Sequence, residues 1–234
     1  IRDSTSVYIS LNGTEEVHDM TRGVRGSYQK CLEALRSLVE LRDAKHRYLE
    51  ISVHAILMQP NLGQILELVN RCKELNVRFA ISALDTSWCL ENAGALALGT
   101  AQQKEVNQLI QQLHKIKRQH PSLMHDTHSS LEYLKNYLID SKKDNVPCYV
   151  GYLQIHIGSH GEVRSGCDYL PPAGNLRDKP LDTIVSSEAY KQRLRDMFFK
   201  RCPGCDCSRI LNLYAHVPSL VEELRWRLQP WRRR

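Results

Sequence analysis

The first third of the chain alternates between short apolar runs and helical periodicity. Residues 7–10, 48–57 and 77–82 are short and rich in apolar side chains, which is typical of β-strands. Between these runs, apolar residues recur every three or four positions over 28–41 and 61–75, which is the period of an amphipathic helix. This β-α-β-α-β order predicts parallel strands joined by helical crossovers, and therefore an α/β fold.

The strand at residues 48–57 is almost continuously apolar near its end, where Ala55, Ile56 and Leu57 follow one another. Such a composition predicts a strand that is buried on both faces. Ser27 precedes the first helix and carries a hydroxyl group of the kind that commonly caps a helix N-terminus.

The pattern changes along the rest of the chain. Two amphipathic helices are predicted in the middle, near residues 106–116 and 131–138. Further on, apolar alternation over 153–157, a glycine-containing turn and a return over 162–165 predict a β-hairpin. A helix near 188–199 follows, and a last helix is predicted to end at about residue 228.

Composition and charge exclude several classes of protein. The 234 residues are 42% hydrophobic and 25% charged, which is ordinary for a globular protein and excludes a mostly disordered chain. No window has the roughly 20 apolar residues that a membrane-spanning helix needs. The net charge is +6, and without the five arginines among the last ten residues it would be +1. We therefore interpret the basic tail as a solvated terminus and expect no nucleic-acid partner.

The eight cysteines fall into two groups by their positions. Cys31 and Cys72 lie on the apolar stripes of predicted helices, so we expect both to be small core residues. Cys89 lies in a stretch without a clear pattern and receives no role. The remaining five are concentrated towards the end of the chain: Cys148, Cys167, Cys202, Cys205 and Cys207.

The spacing of these later cysteines indicates a metal site. Cys202, Cys205 and Cys207 share one tight turn, and Cys148 and Cys167 flank the predicted hairpin, which brings them to the same end. Four thiolates from two distant pairs can hold either an iron–sulfur cluster or a zinc ion. Disulfides are the other reading and need an oxidising compartment. Metal binding is favoured, because the helical core cysteines are more typical of an intracellular, cytoplasmic protein.

Two stretches resemble the radical S-adenosylmethionine (SAM) superfamily. The segments YISLNG at residues 8–13 and VHDMTRG at 17–23 are similar to the fourth strand and following loop of these enzymes. The C-terminal part resembles their SPASM extension. Its carriers are Cys148, Gly161 in the hairpin turn, Cys167, Gly174-Asn-Leu and Cys202-x-x-Cys205. Together the two resemblances cover most of the chain except its helical middle.

The resemblance implies a fold and a chemistry. In this superfamily an incomplete six-unit β/α barrel binds SAM and a [4Fe-4S] cluster, and the resulting 5′-deoxyadenosyl radical removes a hydrogen atom from the substrate. A CxxxCxxC loop holds that cluster, and this sequence has no such loop. We therefore expect the C-terminal half of a partial (β/α)6 radical SAM barrel followed by a small α+β SPASM-like cysteine domain. The radical-initiating [4Fe-4S] cluster would belong to a missing N-terminal part, so this chain alone is expected to be inactive.

The resemblance also assigns roles to individual residues. Ser10, at the end of the matched strand, would contact the methionyl group of SAM, and Arg22 would pair with the SAM carboxylate through two hydrogen bonds. Asn12 departs from the aspartate usual in that turn. His54 is interpreted as a hydrogen-bonded core residue. One auxiliary [4Fe-4S] cluster is expected, held by Cys148, Cys167, Cys202 and Cys205. Cys207 could replace Cys205 as the fourth ligand.

The predicted organisation is a partial barrel containing the family's strands 4–6 over residues 1–86, a helical connector over 87–145, a SPASM-like domain over 146–210, and a helix with a basic tail over 211–234. The expected partners are a peptide, sugar or small-molecule substrate and an electron donor such as flavodoxin or ferredoxin. No membrane partner is expected. The alternative function is a zinc-stabilised binding module without catalysis.

Overall fold

The computed structural model describes residues 6–44, 49–84, 93–139, 147–202, 205–206 and 217–228. Within these ranges the chain forms a mixed α/β structure with two three-stranded sheets. The predicted α/β class is therefore confirmed. The parallel sheet lies in the N-terminal part and the antiparallel sheet in the cysteine-containing part.

The parallel sheet has the strand order β1-β2-β3, in which each strand neighbours the next one along the chain. Its strands are β1 (Ser6–Ser10), β2 (Glu50–Leu57) and β3 (Arg78–Ala83). The helices of this part are α1 (Glu15–Arg22), α2 (Ser27–Ala44) and α3 (Ile65–Glu74). The predicted crossovers at 28–41 and 61–75 thus correspond to α2 and α3, and each predicted strand lies within three residues of its observed bounds.

The segment after β1 differs from the expected loop, because Glu15–Arg22 forms α1. Glu15 and Glu16 lie in the first turn and Arg22 in the last, which suits the helix dipole. Gly23 ends the helix at a φ of 65°, a left-handed conformation that glycine adopts without strain.

Asp19 of α1 caps the next helix. Its carboxylate accepts hydrogen bonds from the backbone N–H of Tyr28 at 2.8 Å and of Gly26, and from the Ser27 hydroxyl at 3.1 Å. The hydrogen bond from the Tyr28 N–H is the main reason that the pKa of Asp19 is lowered. Ser27 thus begins α2, and the group that receives the first N–H donors of that helix comes from α1.

The two faces of the parallel sheet differ in polarity. Residues 51, 53, 55 and 57 of β2 are fully buried against the helices, together with Phe79 and Ile81 of β3. On the opposite face, His54 and Ile56 are only half-buried, and Tyr8 and Ser10 of β1 are exposed. The expectation that β2 is buried on both faces is therefore met only in part: Ser52 on this second face is fully buried, whereas His54 and Ile56 towards the strand end are half-buried. Side chains alternate between the two faces, so the apolar run did not show how far the second face is covered.

The middle of the chain forms helices α4 (Ala93–Leu96), α5 (Gln103–Gln119) and α6 (His128–Ile139). Helices α5 and α6 correspond to the two predicted helices, and they pack against each other. Buried Lys117 of α5 donates hydrogen bonds to the carbonyls of Pro121 and Met124, at 3.1 and 3.0 Å. Lys117 thereby fixes the segment between the two helices. Burial lowers the pKa of this lysine, and the nearby carboxylate of Glu222 partly opposes that shift.

The antiparallel sheet contains β4 (His156–Ile157), β5 (Glu162–Arg164) and β6 (Gly174–Asn175), which confirms the predicted hairpin. The strand is shorter than expected, because Leu153 ends a short helix, α7 (Val150–Leu153). This short helix packs closely at Gly151, where a Cβ atom would lie 2.6 Å from a Leu194 methyl group and 2.9 Å from the Ser165 carbonyl oxygen. The backbone therefore approaches its neighbours too closely for any side chain.

The remaining helices are α8 (Leu181–Ser186), α9 (Glu188–Phe198) and α10 (Val217–Leu228), the last two close to their predicted positions. Among the described helices, none combines the length and the hydropathy of a membrane span.

Candidate functional site

The open face of the parallel sheet carries polar side chains near the ends of its strands. Ser10 ends β1 and lies beside His54 of β2 in the strand register. His54 Nε2 lies 2.8 Å from the hydroxyl oxygen of Ser82 on β3. The prediction that His54 is hydrogen-bonded is thus confirmed, but its place in the core is not, because the side chain is half-buried on the open face. Deeper on the same face, the hydroxyl of Ser52 is buried and has no hydrogen-bond partner among the described residues. The C-terminal ends of parallel strands are where ligand sites form in α/β proteins.

Arg22 lies in the last turn of α1, one helix after Ser10, and its side chain is exposed. Burial lowers the pKa of His18, and the positive charge of Arg22 lowers it further. His18 is therefore neutral at pH 7. Ser10 and Arg22 are thus both exposed, Ser10 at the end of β1 and Arg22 at the end of α1.

A buried network of hydrogen bonds fixes the turn that follows β1. The Asn12 N–H donates to His18 Nδ1 at 3.2 Å, and the Asn12 side-chain oxygen accepts from the Ile56 N–H at 3.2 Å. The Asn61 amide donates to the carbonyls of Asn12 and Ile56, at 2.5 and 2.7 Å, and its oxygen accepts from the Met58 N–H at 2.8 Å. The ends of β1 and β2 are thereby held together directly below Ser10.

Sequence reasoning missed the roles of His18 and Asn61. The available signal was their position: both are polar residues placed a few residues beyond the C-terminal end of an apolar strand, where side chains commonly bind backbone groups of neighbouring turns.

Cys148 and Cys167 meet at one apolar wall. Both thiols are half-buried and pack against the cluster of Val150, Leu170 and Met197. Hairpin β4–β5 lies between the two cysteines in the chain, as the sequence predicted. Gly166 precedes the second thiol at a φ of 74°, and a Cβ atom there would lie 2.8 Å from the Gln154 carbonyl oxygen. Glycine is therefore required at this position.

The thiol of Cys167 lies in a partly apolar environment that also contains hydrogen-bond donors. Burial raises its pKa to about 11, and the nearby thiols of Cys205 and Cys202 contribute to that increase. The backbone N–H groups of Tyr169 and Leu170 donate hydrogen bonds to the sulfur and oppose it. Such N–H donors stabilise a thiolate and tune a metal that is bound to it. Cys167 therefore lies close to the late cysteine pair.

The four predicted ligands thus all lie within the described residues, and each is half-buried. Cys167 connects them, since it shares the apolar wall with Cys148 and interacts electrostatically with Cys202 and Cys205. Within the described ranges, no three His, Cys, Asp or Glu side chains are close enough to hold a single metal ion.

The other cysteines behave in two ways. Cys72 is buried in the main core, where burial raises its pKa to about 12, and Cys31 packs against that core. The prediction that these two are core residues is confirmed. Cys89 and Cys207 lie outside the described residues, so the question whether Cys207 replaces Cys205 stays open.

Comparisons with known proteins found one matching family and several similar structures. Residues 148–208 match the SPASM family, described as an iron–sulfur cluster-binding domain. A crystal structure of SuiB from Streptococcus suis has the same fold, with a TM-score of 0.53 and 17% sequence identity over 81% of this chain and 45% of SuiB. No curated protein sequence matches the chain.

Two further SuiB structures are similar. SuiB bound to S-adenosylmethionine gives a TM-score of 0.51, and SuiB bound to the precursor peptide SuiA gives 0.52, each with 17% identity over 80% of this chain and 44% of SuiB. The chain therefore spans less than half of the SuiB length. The family match thus supports the predicted SPASM-type domain over residues 148–208, and the SuiB structures show a similar fold.

Proposed function

We propose that this chain, with its SPASM domain at residues 148–208, is the C-terminal half of a radical SAM partial barrel joined to one auxiliary-cluster domain. The observation that carries the proposal is the match of residues 148–208 to the iron–sulfur cluster-binding SPASM family, a region that contains all four proposed cysteine ligands. Three parallel strands with a polar open face are consistent with the second half of such a barrel.

The auxiliary [4Fe-4S] cluster would be held by Cys148, Cys167, Cys202 and Cys205. The fit to this group is supported by the chemistry of the donors: thiolate is the ligand that iron–sulfur clusters take, Cys167 receives two backbone N–H donors, and an apolar wall limits water on one side. When bound, the cluster supplies an electron relay or a direct ligand for the substrate.

S-adenosylmethionine would bind at the ends of β1 and β2. Ser10 would contact its methionyl group, and Arg22 would hold its carboxylate. The buried network of Asn12, His18 and Asn61 would keep the turn below Ser10 in one conformation. In the full-length enzyme, reductive cleavage of SAM at the initiating cluster would supply the radical that abstracts hydrogen from the substrate. This chain alone would be inactive, because the CxxxCxxC ligands are absent from it.

A peptide is the substrate class that we favour, since SuiB, which shares the fold, has been crystallised with a precursor peptide. Sugars and cofactor precursors are the other candidates. The proposed electron donor is a flavodoxin or ferredoxin. A cytoplasmic location belongs to the same proposal, because a cysteine-bound cluster needs thiols that stay reduced.

Arg22→Ala tests the SAM site. We expect SAM binding by the full-length, cluster-loaded protein to weaken about 10- to 100-fold, because a hydrogen bond to a charged group contributes roughly 1.5–3 kcal/mol. The measurement is isothermal titration calorimetry with SAM. Arg36→Ala, which removes an exposed arginine from α2, is the matched control. Equal SAM affinities in the two variants would contradict the assignment of Arg22.

A further inference from the structure

The outer edge of β3 is closed by three different groups. The N–H donors of Phe79, Ile81 and Ala83 point to this edge, because alternate residues of a strand face the same side. The Phe79 N–H donates to the Leu123 carbonyl at 2.7 Å, and the Ile81 N–H donates to the Asp126 carboxylate at 3.0 Å. The chain between α5 and α6 therefore covers the first part of the edge.

The last donor of this edge is met by the cysteine domain. The Ala83 N–H donates to the carboxylate of Asp206 at 2.7 Å, across 123 positions of sequence. Asp206 follows Cys205 directly and is only 3% exposed. The Tyr133 hydroxyl of α6 donates a second hydrogen bond, to the Cys205 carbonyl at 3.3 Å. Cys205 and Asp206 are thus both hydrogen-bonded to residues of the N-terminal and middle parts of the protein.

We propose that Asp206 is a positioning residue that holds the adjacent Cys205 against the C-terminal end of β3. This inference rests on the proposed function, because Cys205 matters as part of an auxiliary-cluster site. Ala83 ends β3, and its neighbour Ser82 belongs to the polar face and contacts His54. The contact between Asp206 and Ala83 therefore sets where the cluster lies relative to the face on which SAM and substrate would bind.

A carboxylate suits this role because both of its oxygens are acceptors, so either one can receive the strand-end N–H.

The test compares Asp206→Ala and Asp206→Asn in the full-length, cluster-loaded protein, with Asp178→Ala as an exposed aspartate control in the same domain. Asparagine retains an acceptor oxygen but loses the charge, whereas alanine loses both. The readouts are hydrogen exchange of the Ala83 amide, iron content, and the electron paramagnetic resonance (EPR) line shape of the auxiliary cluster. The auxiliary signal is identified as the one that Cys148→Ala removes.

For Asp206→Ala we expect faster exchange at Ala83 together with an altered EPR line shape or loss of the auxiliary iron. Asp206→Asn is expected to restore slow exchange, iron content and line shape. The inference is overturned if Asp206→Ala exchanges like the parent protein, if its cluster is unchanged, or if the asparagine variant fails to restore it. If the parent protein binds no iron, the proposed function fails, while the exchange rate of Ala83 still tests the contact itself.

Discussion

Cys148→Ala is expected to remove the auxiliary cluster, so that the purified protein loses about four irons per chain. The physical reason is that a cluster held by only three thiolates leaves one iron open to water and oxidation. The lost sulfur is one that packs against the apolar wall of Val150, Leu170 and Met197. Iron and acid-labile sulfide are measured on protein purified without oxygen.

Cys31→Ala is the matched control, because it makes the same chemical change at another half-buried thiol. Cys31 packs against the main core and lies 3.8 Å from His18, in the N-terminal part of the chain. Its iron content should equal that of the parent protein. Equal iron content in the Cys148 and Cys31 variants would show that the cysteines have been assigned wrongly.

Asn61→Ala is expected to lower the free energy of unfolding by about 3 kcal/mol or more, since each buried polar group left without a partner costs roughly 1–3 kcal/mol. The substitution removes the partner of the Met58 N–H and of the carbonyls of Asn12 and Ile56. Asn61 is completely buried, so water does not replace these hydrogen bonds. Urea unfolding followed by circular dichroism gives the value.

Asn70→Ala provides the comparison, because Asn70 is an exposed residue of α3 and its replacement should change stability by less than about 0.5 kcal/mol. A loss for Asn61→Ala no greater than that for Asn70→Ala would mean that the network below Ser10 does not hold the two strand ends together.

The parallel unit was predictable because its strands and helices have the simplest patterns. Short apolar runs marked β1, β2 and β3, and three- to four-residue periodicity marked α2 and α3. Helix α1 was missed because a family resemblance gave a loop there, although two acidic residues and a terminal glycine already indicated a helix.

The late cysteines could be singled out from the sequence, but their surroundings could not. Spacing indicated a group of five thiols, and the resemblance to the SPASM pattern reduced the proposed ligands to Cys148, Cys167, Cys202 and Cys205. The contact of Asp206 with Ala83 joins residues 123 positions apart, and no local pattern encodes it. The polar face of the sheet was hidden for a similar reason, since it becomes visible only when Ser10, His54 and Ser82 are aligned across three strands.

The metal bound to the protein tests the central claim most directly. Protein purified without oxygen is expected to be brown, with a broad visible absorption that bleaches on reduction and with iron and sulfide in equal amounts. Replacing any of the four cysteines should remove that auxiliary portion. A colourless protein that holds one zinc ion tightly and keeps no iron would contradict the account and establish the non-catalytic zinc module instead.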